Sequence, residues 1–261
     1  MRGFINLSII WKKMISRRIT EAVETERTSK EYAGSYYETE QDMKGYFDFD
    51  TKVLKKHFRK KGKLFDATMG AGRHVLEFAK LGFEVEGNDY NKHMVEFVRK
   101  ELKKRKLNAR LYDYDITKLS KIRSNKYDYV VCMCSSLGCI PGSENRQKAM
   151  NELARVAKLG GLVIVHVHNS LSDKGRFDFP EVLRMLFFRE RDLEFGDAYY
   201  SYGPLDKAFV HMYTAFEFSK SFRKAGLKVI EKIYLNKKQD GVYKGMFKIL
   251  KSEGFIFVAK K

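Results

Sequence analysis

Two glycines and two aspartates between residues 63 and 91 have the types and spacing best suited to ligand chemistry in this chain. Gly70 and Gly72 follow an apolar segment that ends near Asp66, and they let the backbone turn tightly and approach a ligand closely. Asp89 comes 23 residues after Asp66, about the spacing at which an acidic side chain binds ribose hydroxyls. The pattern predicts a nucleoside-containing cofactor.

The residues after the glycines narrow the class of cofactor. A dinucleotide fingerprint requires Gly-x-Gly-x-x-Gly/Ala, but Val75 stands at the third small position of this frame. No Gly-Lys-Ser/Thr follows, so the turn is not a P-loop. An ordinary strand–turn–helix without a ligand is the simpler alternative, and the downstream sequence argues against it.

Strand and helix patterns alternate around this turn, which predicts an α/β fold with a parallel, doubly wound sheet. Thr214 followed by Glu217 marks the start of a late helix as a capping box. The last two strands are predicted to pair antiparallel at the sheet edge. The predicted strands are 64–67, 83–87, 109–115, 127–134, 162–167, 228–235 and 254–259, and the predicted helices are 51–59, 74–80, 92–106, 146–158 (closed by Gly160 and Gly161) and 214–224.

The segment Asp66, Thr68, Gly70 and Gly72 resembles the first motif of class I S-adenosylmethionine-dependent methyltransferases, Asp-x-Gly-x-Gly-x-Gly followed by a helix. Residues 151–165 are similar to the helix and strand that follow that family's fourth motif. The resemblance implies a Rossmann-like seven-stranded sheet, mostly parallel with an antiparallel C-terminal edge strand, and S-adenosylmethionine as cofactor. Thr68 departs from the family at its first glycine.

The resemblance also assigns roles to individual residues. Asp115 would accept a hydrogen bond from the adenine amino group and Ile116 would pack on the ring, whereas an N-cap is the alternative role for Asp115. The tip of the fourth strand would face the methyl group and the substrate. The cofactor-binding residues implied are Asp66, Thr68, Gly70, Ala71, Gly72, Asp89, Tyr90, Asp115, Ile116, Met133 and Cys134.

Two regions fall outside the regular alternation. Residues 1–50 are predicted to be a helical, aromatic-rich extension that caps the cofactor, and residues 51–261 to be the methyltransferase domain. An insertion at about 170–206 is predicted to lie on the substrate side. Residues 1–20 contain no acidic residue, so a targeting segment is an open alternative for them.

Candidate substrate-side residues lie near the predicted sheet tips. Asn169, Tyr200 and Tyr213 are candidates for substrate binding. A base is needed only if the methyl acceptor must first lose a proton, and His168 and His211 are the weak candidates for it, together with His166. A buried, hydrogen-bonded histidine is the commoner fate of each. Cys132 and Cys134 lie two apart in a predicted strand, hence on one face. They could form a metal site with Cys139, but the Cys-x-Cys spacing suits buried packing just as well, and no metal is predicted.

The amino-acid composition and net charge indicate possible binding partners. A net charge of +18 favours polyanions such as RNA, although a generally lysine-rich sequence explains it equally well. Residues 196–200 and 211–214 bear a weaker likeness to tRNA wobble-uridine methyltransferases, so tRNA is one predicted partner. The alternatives are a small-metabolite methyltransferase and a non-catalytic S-adenosylmethionine-binding module. The small cysteine number and the lack of a long apolar run favour a cytoplasmic protein without a membrane span.

Overall fold

The computed structural model describes residues 29–30, 32–33, 36, 44–172, 194–202 and 205–261. The prediction made for residues 1–20 and most of the insertion predicted at about 170–206 concern residues outside these ranges. Within them, no helix is long and apolar enough to cross a membrane.

A seven-stranded sheet forms the centre of the protein, with the strand order β3-β2-β1-β4-β5-β9-β8. Strands β1 to β5 are parallel, and β9 runs antiparallel between β5 and β8. This confirms the predicted fold class, including the antiparallel C-terminal strands. The strands are β1 Lys63–Asp66, β2 Glu84–Asn88, β3 Arg110–Tyr112, β4 Tyr127–Cys132, β5 Ala157–His168, β8 Lys228–Leu235 and β9 Gly254–Lys260.

Helices pack on both faces of this sheet. Successive strand residues point to opposite faces, and in β1 Phe65 packs with the helices of one face while Leu64 packs with those of the other. Helices α1 Lys44–His57, α2 Arg73–Lys80 and α3 Lys92–Lys104 cover the Leu64 face, and α4 Ser143–Val156 and α5 Ala215–Lys224 cover the Phe65 face. A short helix, α6 Lys248–Lys251, lies between β8 and β9. The predicted domain boundary between residues 50 and 51 falls within α1.

The described part of the insertion forms a separate antiparallel hairpin, β6 Asp197–Tyr202 with β7 Leu205–His211. The sequence predicted an insertion here but no strands. The hairpin packs closely on the short 3-10 helix Ser136–Cys139 that follows β4. The approach is so close that a side chain on Gly138 would collide with the carbonyl oxygen of His211. The insertion therefore lies beside the tip of β4.

Two element ends differ from the prediction. The strand predicted at 162–167 begins at Ala157, so Gly160 and Gly161 lie within β5 rather than closing the preceding helix. Strand β4 ends at Cys132, because Cys134 and Ser135 take left-handed φ angles of 56° and 58°. Cys132 and Cys134, expected on one face of a longer strand, consequently pack on opposite faces of the sheet.

Candidate functional site

The turn between β1 and α2 has the backbone that the glycines predict. Gly70 and Gly72 have φ angles of 53° and 82°, which L-residues with side chains rarely adopt. A Cβ on Gly72 would lie 2.6 Å from Cγ2 of the buried Val98, so α3 packs directly against the turn. Ala71 between them is buried. Thr68 lies outside the left-handed region, so a side chain is tolerated where the family has glycine.

Asp89 joins the turn to the tip of β2. Its Oδ2 accepts a hydrogen bond from the Gly70 N–H at 2.9 Å, and its Oδ1 accepts one from the Asn91 N–H at 2.9 Å. Burial raises the pKa of Asp89 to about 6, although both backbone bonds favour the ionised form. Each oxygen keeps a second lone pair, so the carboxylate can still accept from ligand hydroxyls. Tyr90, next in the chain, is exposed.

Asn88 fixes the spacing of three strand tips and was not predicted from the sequence. Its Nδ2 donates to the carbonyl oxygens of Ala67 and Tyr114, at 3.1 and 3.0 Å, and its Oδ1 accepts from the Tyr114 N–H at 2.9 Å. The only sequence signal was its position directly before Asp89. Because these bonds join the ends of β1, β2 and the segment after β3, they hold the predicted cofactor-binding residues in register.

A buried acid–histidine pair lies beneath the turn. Oδ1 of Asp66 accepts from the Thr68 N–H at 3.3 Å, and its Oδ2 is 3.6 Å from Nδ1 of His74 in α2. Burial lowers the pKa of His74, with the charge of Arg73 acting in the same direction. Asp66 Oδ2 and His74 Nε2 are buried and lack hydrogen-bond partners among the described residues.

Asp115 and Ile116 lie just beyond β3, at the same edge of the sheet. Oδ1 of Asp115 accepts from both the N–H and the hydroxyl of Thr117, each at 2.8 Å, which caps a turn. No helix begins at this point of the described chain, so Asp115 does not take the N-cap role given as the alternative. Because these bonds use only Oδ1, Oδ2 is still available for a ligand. Ile116 is buried.

The tip of β4 is covered by α1. Met133 is buried, and Cys134 accepts from Nη2 of Arg73 at 3.4 Å. The same guanidinium donates through Nη1 to the carbonyl oxygen of Phe47 and to Oγ1 of Thr51, both in α1. Arg73 therefore binds α1 to the glycine turn and to β4. No role was predicted for Arg73, although it directly follows Gly72.

A buried pair, Asp50 of α1 and His166 of β5, joins these two elements. Nδ1 of His166 is 3.2 Å from Oδ2 of Asp50, and its Nε2 is 3.3 Å from Oε1 of Gln239. Burial opposes ionisation of Asp50, but its interactions with His166, Arg73 and His74 together outweigh burial and lower the pKa of the carboxyl. Nothing in the sequence marks Asp50. The pair places His166 in a buried, hydrogen-bonded position, as expected for most histidines.

The described residues of the N-terminal extension lie against the glycine turn. A Cβ on Gly70 would be 3.0 Å from the ring of Tyr36, and Tyr36 in turn lies 5.8 Å from Tyr32, centroid to centroid. Nδ2 of Asn91 donates to the carbonyl oxygen of Ser29 at 3.0 Å. These contacts bring the extension over the predicted cofactor site.

His168 is the last residue of β5 and Asn169 follows it, but the two side chains have different surroundings. His168 is only half-buried, and its ring lies 6.0 Å from that of His166. Asn169 is fully buried, and its Nδ2 donates to the carbonyl oxygens of Ile249 and Ser252, at 3.0 and 2.7 Å. Its Oδ1 accepts from the Leu171 N–H. The amide of Asn169 is therefore committed to the β8–β9 loop, and this placement does not favour a substrate contact.

His211 belongs to a buried charge cluster rather than to an open site. Its Nδ1 is 2.7 Å from Oδ1 of Asp197, and its Nε2 is 2.9 Å from Oε1 of Glu217. Burial opposes its charge, but these hydrogen bonds outweigh burial and raise the pKa of His211. With both nitrogens bound to carboxylates and the ring buried, His211 is poorly placed to act as a general base.

The cluster continues to Arg146 of α4, which contacts Glu194 and lies 4.0 Å from Asp197. Glu194, Asp197 and His211 are the one group among the described residues close enough to share a metal ion, but the Arg146 guanidinium already balances the carboxylates. Tyr213 packs its ring against His211 at 4.7 Å, and its buried hydroxyl has no hydrogen-bond partner in the described part of the chain. Tyr200 lies in β6, opposite Ala208.

The residues at the turn fit the cofactor that the sequence implies. The two glycines hold the turn in a left-handed conformation, with Tyr36 against Gly70 and Val98 against Gly72. Among the described residues, the buried polar atoms Asp66 Oδ2 and His74 Nε2 have no hydrogen-bond partner. The carboxylates of Asp89 and Asp115 stand at neighbouring strand tips. In an open α/β sheet, ligands bind at this edge.

Comparison with known proteins identifies the class. Residues 65–161 match the protein-family model described as a methyltransferase domain. The chain is 24% identical over 161 residues to YqeM of Bacillus subtilis (strain 168), named as a methyltransferase, covering 62% of each protein. It is 25% identical over 122 residues to the glycine/sarcosine N-methyltransferase of Aphanothece halophytica, covering 47% of this chain and 45% of that enzyme.

A solved structure shows a similar fold. The S-adenosylmethionine-dependent methyltransferase of Methanosarcina mazei superposes with a TM-score of 0.64 at 18% identity, over 80% of this chain and 96% of that one. The family model matches a methyltransferase domain at residues 65–161, and the superposition shows the fold of S-adenosylmethionine-dependent methyltransferases, as the sequence predicted. The chain spans about half to three fifths of the length of the two relatives named above.

Proposed function

We propose that the protein transfers a methyl group from S-adenosylmethionine to a small-molecule acceptor bound at the tips of β4 and β5, beneath α1. The observation that carries this proposal is the bond from the Gly70 N–H to Asp89 Oδ2. It joins the glycine turn to the acidic tip of β2, the two features that a nucleoside cofactor requires. S-adenosylmethionine supplies a methyl group already activated for transfer.

The chain's own residues then serve mainly to bind and align. Asp89 would accept from the ribose hydroxyls, while Asp115 and Ile116 would hold the adenine. Asp66, Thr68, Ala71 and Gly72 would shape the turn, with Tyr90, Met133 and Cys134 beside it. Alignment of donor and acceptor alone can supply a large part of the rate acceleration. If the acceptor must lose a proton, half-buried His168 at the end of β5 is the candidate base.

The enclosure of the site favours a small acceptor. Arg73 holds α1 over the tip of β4, and Asp50 of α1 and His166 of β5 are fully buried where these two elements meet. A nucleic acid would need an open path to this point. The similarity to glycine/sarcosine N-methyltransferases supports a small substrate as well. Tyr213 and Tyr200 remain proposed substrate-side residues.

RNA is the second candidate acceptor, favoured by the net charge of +18. Filter binding of tRNA at two salt concentrations separates the candidates, because phosphate contacts give a steep fall in affinity with salt. Weak tRNA binding without a salt dependence would remove RNA from consideration. Mass spectrometry of a cell extract treated with the protein and isotopically labelled cofactor would then identify the methylated small molecule.

Isothermal titration calorimetry with S-adenosylmethionine tests the cofactor site directly. Asp89→Ala should weaken binding by at least about tenfold, the loss expected for one charge-assisted hydrogen bond. Asp113→Ala is the matched control, because Asp113 is exposed in the neighbouring segment and should bind as wild type does. Equal affinity of all three proteins would refute the site. Binding without formation of S-adenosylhomocysteine in any extract would instead favour a non-catalytic binding module.

A further inference from the structure

The loop between β8 and β9 lies at the same edge of the sheet as the candidate site. Strand β9 is antiparallel to both β5 and β8, so β8 runs parallel to β1–β5. The carboxyl end of β8 is therefore at the edge where β1–β5 also end. Gln239 of this loop reaches His166, which shows how close the loop comes to the candidate site.

Residues 237–251 of this loop form a surface that is both apolar and basic, here called the β8–β9 surface. Its apolar side chains are 46–90% exposed, far more than a core would leave in water; they are Val242, Met246, Phe247, Ile249 and Leu250. Five exposed lysines lie among them, Lys237, Lys238, Lys244, Lys248 and Lys251. Asp240 is the one acidic residue of the segment. Several large apolar side chains exposed within one short segment are typical of an interaction site.

The loop is held in place by several backbone contacts. The Nδ2 of Asn169 donates to the carbonyl oxygens of Ile249 and Ser252. The Tyr243 N–H donates to the carbonyl oxygen of Tyr234 at 2.7 Å, and Val242 forms a bridge with Leu235. The apolar side chains thus project from a fixed backbone. A preorganised surface loses little conformational entropy when it binds a partner.

We propose that the β8–β9 surface binds the surface of an anionic lipid bilayer. Apolar side chains interleaved with lysines are the pattern of interfacial membrane segments, in which the apolar groups enter the headgroup region and the lysines contact anionic lipids. The segment carries five lysines against one aspartate, so its charge complements such a membrane. Docking in this way would bring the edge of the sheet that carries the candidate site close to the bilayer.

Two other occupants fit this surface less well. A symmetric contact with a second copy would set the five lysines against the same five lysines, since an isologous interface pairs a patch with itself. A nucleic acid would use the lysines, but it offers nothing to Met246, Ile249 and Leu250, because phosphates and base stacking do not bind aliphatic side chains. The lipid surface is the occupant that uses both kinds of residue.

Flotation with lipid vesicles tests the proposal on the whole protein, without cofactor. The wild type should bind vesicles of phosphatidylcholine mixed with phosphatidylglycerol, and bind vesicles of phosphatidylcholine alone much more weakly. Met246→Ser with Phe247→Ser should reduce binding by at least about tenfold through the loss of buried apolar area. Lys244→Gln and Lys248→Gln should each reduce it by roughly fivefold. Because the assay measures no methyl transfer, its result is independent of the proposed function.

Leu159→Ser is the matched control, because Leu159 is 80% exposed but lies near the amino end of β5, at the opposite edge of the sheet. It should leave vesicle binding unchanged. Equal binding to the two vesicle types, or full binding by the Met246/Phe247 double variant, would overturn the proposal. A lowered melting temperature of that variant with intact vesicle binding would also overturn the proposal, since the two side chains would then pack within the chain. If light scattering shows a dimer of the wild type that the double variant no longer forms, the β8–β9 surface binds a second copy of the chain instead.

Discussion

The backbone N–H of Gly70 donates to Oδ2 of Asp89 across 2.9 Å, and this bond joins the turn after β1 to the tip of β2. It makes the geometry of the glycine turn depend on the same carboxylate that would bind the ribose. Burial raises the pKa of that carboxyl to about 6. Cofactor binding should therefore respond to pH in a range where few side chains titrate.

Affinity for S-adenosylhomocysteine should fall as the pH drops through about 6. The pKa of Asp89 is raised, so the carboxylate is ionised above this pH and protonated below it. Protonation replaces charge-assisted acceptor bonds with weaker neutral ones. We expect affinity at pH 5 to be roughly tenfold below that at pH 7.5, measured by calorimetry.

Asp89→Asn should remove this pH dependence, because an amide cannot ionise. The affinity of this variant for S-adenosylhomocysteine should be low at both pH values. Asp113→Asn should keep the wild-type profile, since Asp113 is exposed and forms no part of the turn. A pH profile that is the same in wild type and Asp89→Asn would show that another group controls binding.

Gly72→Ala should destabilise the protein by about 2–4 kcal/mol. Two effects add: a left-handed φ of 82° is strained for alanine, and the new Cβ would lie 2.6 Å from Cγ2 of the buried Val98, which overpacks the core. Urea unfolding measures the change. In a double-mutant cycle with Val98→Ala, the two losses should be less than additive.

Gly226→Ala separates the two effects in this experiment. Gly226 has a φ of 73°, but no atom lies within 4 Å of the Cβ that alanine would add. The Gly226→Ala variant should therefore lose only about 1 kcal/mol of unfolding free energy, from backbone strain. If Gly72→Ala costs no more than Gly226→Ala, the contact between the turn and α3 is not as close as described.

Thr68→Gly should restore the family's glycine without improving cofactor binding. Thr68 is outside the left-handed region, so glycine offers no conformation that the turn needs, and it would lose the contact from Thr68 Oγ1 to Cys132 Sγ at 3.6 Å. We expect a stability loss of about 0.5–1 kcal/mol from backbone entropy. A clear gain in affinity for S-adenosylmethionine in calorimetry would show that the threonine does impair the site.

The fold and the cofactor edge could be predicted because they depend on local patterns. Apolar strands of regular spacing and two glycines before a helix specify the parallel sheet, and the order of the strand tips places Asp89 and Asp115 at one edge. These features need no knowledge of distant contacts. The cofactor-binding residues predicted from that order stay predictions, but the structure brings them to neighbouring positions.

The substrate side could not be predicted because it depends on contacts between distant segments. Asn169 meets residues about 80 positions later, and Asp50 meets His166 across 116 positions. Glu217 shows the same limit within one helix: its N–H donates to Oγ1 of Thr214, as the capping box predicts, but its side chain contacts His211 instead of completing the box. Sequence spacing gives no sign of such competition between partners.

His211→Gln should destabilise the protein in a pH-dependent way. Hydrogen bonds to Asp197 and Glu217 outweigh burial and raise the pKa of His211 above its ordinary value, and Arg146 is the other charged group nearby. A raised histidine pKa contributes stability that is fully present below the unfolded pKa and is lost as the pH rises through the folded one. We expect a loss of about 3 kcal/mol at pH 6, where the charged ring pairs with both carboxylates, and a smaller loss at pH 9. Urea unfolding at both pH values measures the loss.

His93→Gln is the control for His211→Gln, since His93 is partly exposed and lies 4.0 Å from Glu96. This substitution should change stability by less than about 0.5 kcal/mol. Equal losses at pH 6 and pH 9 for His211→Gln would mean that the ring is held by packing alone, and that its charge does not bind the β6–β7 hairpin to α5.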